Sequence, residues 1–362
     1  MESGMAELKS GGISMKKLLA MLLVLTMAVS VTACGGKGDE KAEAPSETQE
    51  GASQEEAGAE DAAGTEASAD GAEYVVGICQ LVQHDALDAA TQGFKDALTE
   101  ELGDKVTFDE QNASGDVPTC STIVNQFVSD EVDLILANAT PALQAAQAGT
   151  GTIPILGTSV TEYGVALNIS DFDGTVGTNI SGTSDLAPLD QQAQIVKELF
   201  PDAKNVGLVY CSAEANSQYQ VDTVQGFLEE LGYTCKQYSF ADSNDLSSVT
   251  QTAVDENDVL YIPTDNTAAN NTEVIRNICE PAKMPVVVGE EGICAGCGVA
   301  TLSISYYDLG VATGKMAAKI LKGEADISAM PIEYAPQFTK KYNAELCDSL
   351  GITIPEGYEA IQ

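Results

Sequence analysis

Val76-Gly-Ile-Cys79, then Gln92-Gly-Phe94, then Glu101-Leu-Gly103 form a series that the chain uses twice. About 130 residues later Val206-Gly-Leu-Val-Tyr210, Gln225-Gly-Phe227 and Glu230-Leu-Gly232 follow in the same order. Further out, Asp133-Leu-Ile-Leu-Ala137 returns as Asp258-Val-Leu-Tyr-Ile262, and Pro154-Ile-Leu-Gly157 as Pro285-Val-Val-Val-Gly289. Any two α/β units share helical periodicity, but a shared Gln-Gly-Phe triplet within a shared order points to duplication. The apolar runs are short, continuous and β-branched, as in strands buried on both faces. Between them lie helical patterns. Leu87, Ala90, Phe94, Leu98 and Leu102 recur at helical spacing, with Asp85 placed to cap the start. Thr119–Ser129 turns Ile123, Val124 and Phe127 inward. Alternating strands and helices predict an α/β protein with parallel sheets, built as two similar lobes with a cleft between them.

Composition narrows the function. The 362 residues carry 17 Lys+Arg against 55 Asp+Glu, a net charge of −38, with one His, nine Cys and no Trp. Such a chain repels phosphate, so no nucleic-acid partner is expected. His84 and Arg276 stand alone in their types, which leaves no His-based zinc site and no clamp of several arginines. At most one imidazole could serve a catalytic triad, and neither GxxxxGK[ST] nor GxGxxG occurs. No metal and no cofactor are expected, and most soluble enzyme classes are disfavoured.

The N-terminal region reads as an address. Met15-Lys16-Lys17 is basic, and Leu18 to Val31 is an apolar run too short to span a bilayer comfortably. Val31-Thr-Ala33 before Cys34 resembles the lipobox of bacterial lipoproteins, in which the cysteine is lipidated and the preceding peptide removed. Residues 1–33 are thus expected to be a signal peptide with extra residues at its start. Residues 34–73, rich in Ala, Glu, Gly and Ser, are expected to be a disordered acidic tether, because they hold too little apolar surface to offset ordering. The 289 residues that remain (362 less 73) again make a two-domain length.

Ligands of open parallel sheets sit beyond the carboxyl ends of the strands. Those ends supply Gln83 and His84, then Thr140 and Pro141, then Ser159 and Val160 in the first lobe. In the second they supply Asn216 and Ser217, then Thr264, Asp265 and Asn266, then Glu290. Leu87 and Asp88 follow the first loop and complete the expected contact set. Ser and Thr at such turns also serve as helix caps, and an exposed loop residue is the equal alternative for His84. Carboxylates such as Asp265 and Glu290 suit an amine, while helix N-termini near Thr140 and Ser217 suit a carboxylate. An amine and a carboxylate together describe an amino acid. Leu81, Val82, Leu87, Pro141, Val160 and Tyr163 offer apolar lining for a large side chain. A sugar is the weaker reading without Trp, though Tyr163, Tyr219 and Tyr306 could stack. For Asp265 the two readings are a partner for the ligand ammonium and a plain helix cap.

Gln83-His-Asp-Ala-Leu-Asp88, Ala139-Thr-Pro-Ala142, Glu214-Ala-Asn-Ser217, Pro263-Thr-Asp-Asn-Thr267, Gly289-Glu-Glu291 and Tyr306-Tyr-Asp-Leu-Gly310 resemble the motifs of substrate-binding lipoproteins of ABC importers of the tryptophan/tyrosine-binding type. The resemblance spans Tyr74 to about Pro336. It implies a type I periplasmic-binding architecture, with two Rossmann-like lobes and three crossings, near Asn179–Ser184, Thr301–Ser305 and Ala325–Pro331. On that basis lobe 1 is residues 74–181 plus 304–327, and lobe 2 is 182–303 plus 328–362. The helix Tyr307–Lys322 returns to lobe 1 through Leu309, Met316, Ala317 and Ile320. The resemblance also implies an extracytoplasmic protein that passes an aromatic or other large apolar amino acid to an ABC permease and its ATPase. A sugar- or nucleoside-binding protein of the same fold, or a membrane-anchored enzyme, is the alternative.

Ile293-Cys-Ala-Gly-Cys297 departs from the pattern by carrying a CxxC pair. No second CxxC and no nearby His accompany it, so packing is favoured over redox or zinc chemistry. Cys79, Cys211 and Cys279 read as small hydrophobes at strand ends or in helices. Which cysteines pair is left open.

Overall fold

The computed structural model describes residues 73–361. The expected signal peptide, Cys34 and most of the tether therefore lie outside the described residues.

The chain begins with β1 (Tyr74–Gln80), α1 (Asp85–Leu102), β2 (Val106–Asn112), α2 (Val117–Ser129), β3 (Leu134–Asn138), α3 (Thr140–Gly149), β4 (Ile155–Val160), α4 (Tyr163–Leu167) and β5 (Ile180–Ser184). Next come α5 (Leu189–Leu199), β6 (Asn205–Cys211), α6 (Ala215–Glu230), β7 (Thr234–Phe240), α7 (Ser243–Glu256), β8 (Val259–Ile262), α8 (Asn266–Ala269), α9 (Thr272–Cys279), β9 (Val286–Val288), α10 (Glu291–Gly296) and β10 (Ala300–Ser303). It closes with α11 (Tyr306–Leu321), β11 (Glu333–Tyr334), β12 (Thr339–Tyr342), α12 (Ala344–Leu350) and β13 (Glu359–Ala360).

Two sheets result. One has the order β2-β1-β3-β4-β5-β11, the other β7-β6-β8-β9-β10-β12-β13. The first five strands of each follow the same order, so the duplication in sequence is a duplication in topology. All pairings are parallel except β10 with β12. Burial on both faces explains the continuous apolar runs. Along β3, Leu134 and Leu136 pack with Phe94, Leu98 and Met316, whereas Ile135 and Ala137 pack with Phe127 and Leu143.

The crossings fall later than the expected bounds at 181 and 327. Ile180–Ser184 is itself strand β5, paired with β4, so the chain leaves the first sheet only after Ser184. β11 pairs with β5, which keeps residues up to Tyr334 in the first lobe; β12 then pairs with β10 in the second. A two-residue strand of polar and aromatic residues carries too little pattern to be read from sequence. The middle crossing lies between β10 and α11.

α11 packs on α1 at very close range. A Cβ on Gly93 would sit 2.1 Å from the Tyr307 carbonyl oxygen, and one on Gly310 would sit 2.0 Å from that of Ala90. Glycine is required where the two backbones touch. This contact fixes Tyr306, the first residue of α11, at the junction of the lobes. At the start of α1 the N-cap is His84, with no side-chain cap bond; Asp85 is the first helical residue and not the cap.

Candidate ligand-binding site

The carboxyl ends of both sheets face one narrow cavity lined by His84, Leu87, Ser159, Thr161, Asp185, Asn216, Thr264, Asp265, Asn266, Ala269, Glu290 and Tyr306. Residues from both lobes and from two crossings meet there. His84 Nε2 lies 3.3 Å from Asn266 Oδ1 across the cleft. Only about 10 Å³ is left between these groups, room for one water molecule. Anything larger than a water molecule fits there only if the lobes separate. A larger cavity of about 650 Å³ flanks the site on the far side of Glu290 and Tyr306, along the crossing segments.

The site is anionic. Asp185, Asp265 and Glu290 are all buried in its wall, and the lining holds no Lys or Arg. Burial raises the Asp185 carboxyl to about 6 and Glu290 to about 7. Asp265 is raised as well, by burial and then by the nearby Glu214 charge. Burial lowers His84, which favours its neutral form.

These three carboxylates differ in what holds them. Asp265 accepts from the Cys211 N–H at 2.7 Å and the Ala268 N–H at 2.8 Å, one on each oxygen. It caps α8 and ties the loop to β6. Glu290 caps α10 by accepting from the Gly292 and Ile293 N–H groups. The structure shows the helix-cap role for Asp265, with one backbone N–H on each oxygen, and also places the residue in the cavity wall, where the second lone pairs of its oxygens stay open to an amine. Asp185 is different: Oδ2 accepts from the Tyr306 hydroxyl at 3.0 Å, Oδ1 is buried without a well-formed hydrogen bond, and the Thr161 hydroxyl lies near enough to ease the charge.

Two more buried atoms are unpaired here, Ser159 Oγ and Asn216 Oδ1. The Asn216 amide nitrogen donates to the Thr264 carbonyl at 3.2 Å, which leaves the amide oxygen as the unpaired end. Ser159 sits at φ 53° where β4 shifts register against β5. A left-handed serine in a strand is a strained residue, and such strain concentrates at functional sites. Leaving three buried polar atoms unpaired is costly in a native fold, and a ligand with complementary groups removes that cost.

Eight of the expected residues line the cavity: His84, Leu87, Ser159, Asn216, Thr264, Asp265, Asn266 and Glu290. The other six lie elsewhere. Gln83 is exposed at the rim. Asp88 accepts from Gln80 Nε2 at 2.6 Å and so braces the first loop. Thr140 opens α3, and Pro141 borders a separate groove. Val160 is a core residue of the first lobe, and so is Tyr163, expected only as apolar lining; the Tyr163 hydroxyl donates to the Thr183 carbonyl at 3.1 Å in a niche left by Gly157 and Gly182. Ser217 is buried behind Asn216, whose amide reaches its hydroxyl at 3.4 Å. Sequence reasoning missed Thr161, Asp185 and Ala269. The available signal for Asp185 was a carboxylate placed directly after a strand at a crossing, hidden because the crossing was set too early. Among the described residues no group of three or more His, Cys, Asp or Glu is placed to hold a metal, and no helix is long and apolar enough to cross a membrane.

A family profile described as ABC transporter substrate binding protein matches residues 75–360. A "Tyrosine-binding protein" of Clostridioides difficile is 36% identical over 253 residues, covering 69% of this chain and 73% of that protein. Among solved structures, a Streptococcus pneumonia ABC domain in complex with L-Trp is 31% identical with a TM-score of 0.76, covering 80% of this chain and all (100%) of that one. A ligand-free, open substrate-binding protein with adhesive properties from Clostridium difficile is 36% identical but scores 0.62, covering 80% of this chain and 99% of that one. Both structures share the type I periplasmic-binding fold of this chain.

Proposed function

We propose that this chain, which belongs to the ABC transporter substrate-binding protein family, binds a free aromatic amino acid between its lobes and presents it to an ABC permease and its ATPase. One observation carries the reading: an anionic cavity without a countercharge, into which Ser159 Oγ, Asp185 Oδ1 and Asn216 Oδ1 all present unpaired atoms. An ammonium brings one positive charge and three N–H donors, which matches that set. Asp185 takes the role first read for Asp265. The hydroxyls of Thr161 and Thr264 line the same space and suit the ligand carboxylate, while His84, Leu87 and Tyr306 flank its side chain. The tyrosine and tryptophan named for the relatives agree with this chemistry.

The same charge drives closure. In the closed, empty protein Asp185 is ionised at a cost; opening hydrates it, and a bound ammonium neutralises it. The ligand thereby favours the closed form, and differential affinity is what shifts a conformational equilibrium. Binding ends in release to the permease, with no chemistry on the ligand. We place the protein outside the cytoplasm, anchored through lipid on Cys34 and held off the membrane by the acidic tether; Cys34→Ser then moves it out of the membrane fraction.

Isothermal titration tests the ligand. Tyrosine, tryptophan or phenylalanine binds at micromolar strength or better, about −8 kcal/mol, and is recovered unchanged, while alanine and glucose give no heat. Tight binding of glucose or ribose with every amino acid silent overturns the proposal.

A further inference from the structure

Cys79 near the end of β1 and Cys120 in the first turns of α2 are both free thiols, each wholly buried. Their meeting follows from the packing of helix on strand. Gly77 lies under the Phe127 ring, which a Cβ there would approach to 2.7 Å. Cys79 is two residues further along β1, on the same face. Cys120 is seven residues, two turns, before Phe127 and faces the same way. β2 and β3 both run parallel to β1, so α2 between them runs back against the strands. Moving up the strand therefore means moving back along the helix. The two thiols lie in one apolar cluster, and each is the largest influence on the other's ionisation, raising Cys79 and lowering Cys120.

We propose that Cys79 and Cys120 form a disulfide when the chain folds in contact with an oxidant. The oxidant is a soluble disulfide, R–S–S–R. One cysteine thiolate attacks it to give a mixed disulfide and release R–S⁻. The second attacks the mixed disulfide, forms the Cys79–Cys120 bond and releases another R–S⁻. Two electrons pass to the external disulfide, and the two cysteine protons end on the two R–SH products. Complete burial places this exchange before α2 docks on the sheet and shields the bond afterwards. The Cys294–Cys297 pair is arranged otherwise: the Cys294 thiol donates to the Gly298 carbonyl at 3.6 Å. The link also has a place in the site. Gln80, next to Cys79, donates to Asp88 and to the Val82 carbonyl and accepts from Thr91, so the bond would staple the floor of the loop that carries His84.

The test refolds the full chain from the reduced, unfolded state in a buffer of oxidised and reduced glutathione. Non-reducing peptide mapping by mass spectrometry should find Cys79 linked to Cys120 in most molecules, with Cys294 and Cys297 alkylated. Adding dithiothreitol should lower the melting temperature by about 5 °C or more, and Cys120→Ala should lose both the linked peptide and the sensitivity to reductant. Cys79→Ala serves if that variant does not fold. Full alkylation of Cys79 and Cys120 after oxidative refolding, or linkage of either to another cysteine, overturns the proposal.

Discussion

Replacing Asp185 by Asn separates binding from folding, because the two should move in opposite directions. The side chain is 5% exposed, with one oxygen held by Tyr306 and the other unpaired. Burial raises its carboxyl from the ordinary 3.8 to about 6. At 1.36 kcal/mol per unit, two units make roughly 3 kcal/mol, the cost of holding this charge in the closed, empty protein at neutral pH. The sign follows from linkage. A raised carboxyl binds protons more tightly folded than unfolded, so the closed form loses stability as pH rises from about 4 to about 6. Asn removes that burden and still accepts from Tyr306. The ligand-free variant should therefore melt at the same temperature or higher at pH 7. Binding goes the other way, since the ammonium is buried against a neutral amide. A loss of about 2–5 kcal/mol is expected, or roughly 30- to 5,000-fold in Kd. Calorimetric titration with tyrosine and tryptophan, beside a thermal melt without ligand, reads both. Affinity within threefold of wild type, or an affinity loss matched by an equal loss of stability, refutes the role given to Asp185.

The remaining expectations concern the rest of the site. Asp265→Asn leaves one acceptor oxygen for two backbone N–H groups, so urea unfolding should show a loss of about 1–3 kcal/mol while ligand affinity changes less than threefold. Gly182→Ala puts a Cβ at φ +144°, 2.1 Å from the Gly157 carbonyl oxygen; circular dichroism should show a destabilisation of about 3 kcal/mol or more, or no cooperative melt. Calorimetry across pH 5 to 8 should find affinity falling on acidification, by about tenfold per unit below about 6, as protonation of Asp185 removes its charge. Affinity that rises on acidification sinks that assignment.

Much of the architecture was legible in the chain. The repeated apolar runs had to be strands buried on both faces, since nothing polar interrupts Leu134 to Ala137 or Val286 to Val288. Order and spacing then implied two equivalent parallel sheets, and the strand-end rule located eight of the cavity residues. What escaped was short or polar. β2, β5 and β11 carry Thr, Ser, Glu and Gly, whose strand identity comes from the ladder they join and not from their own pattern. Setting the first crossing too early hid Asp185.

Sequence by itself determined the fold class, the duplication, the acidic character and the set of loops that meet in the cleft, because these depend on local periodicity and composition. Only the tertiary structure decided which carboxylate keeps an oxygen without a hydrogen bond. Asp185, Asp265 and Glu290 are chemically alike as letters, and each follows a strand. Backbone N–H groups hold both oxygens of Asp265 and Glu290, whereas Asp185 gives one oxygen to Tyr306, 121 residues away, and holds the other without a hydrogen bond. Whether an oxygen goes without a hydrogen bond depends on which donors the fold brings within about 3 Å, and no local rule in the sequence records that distance.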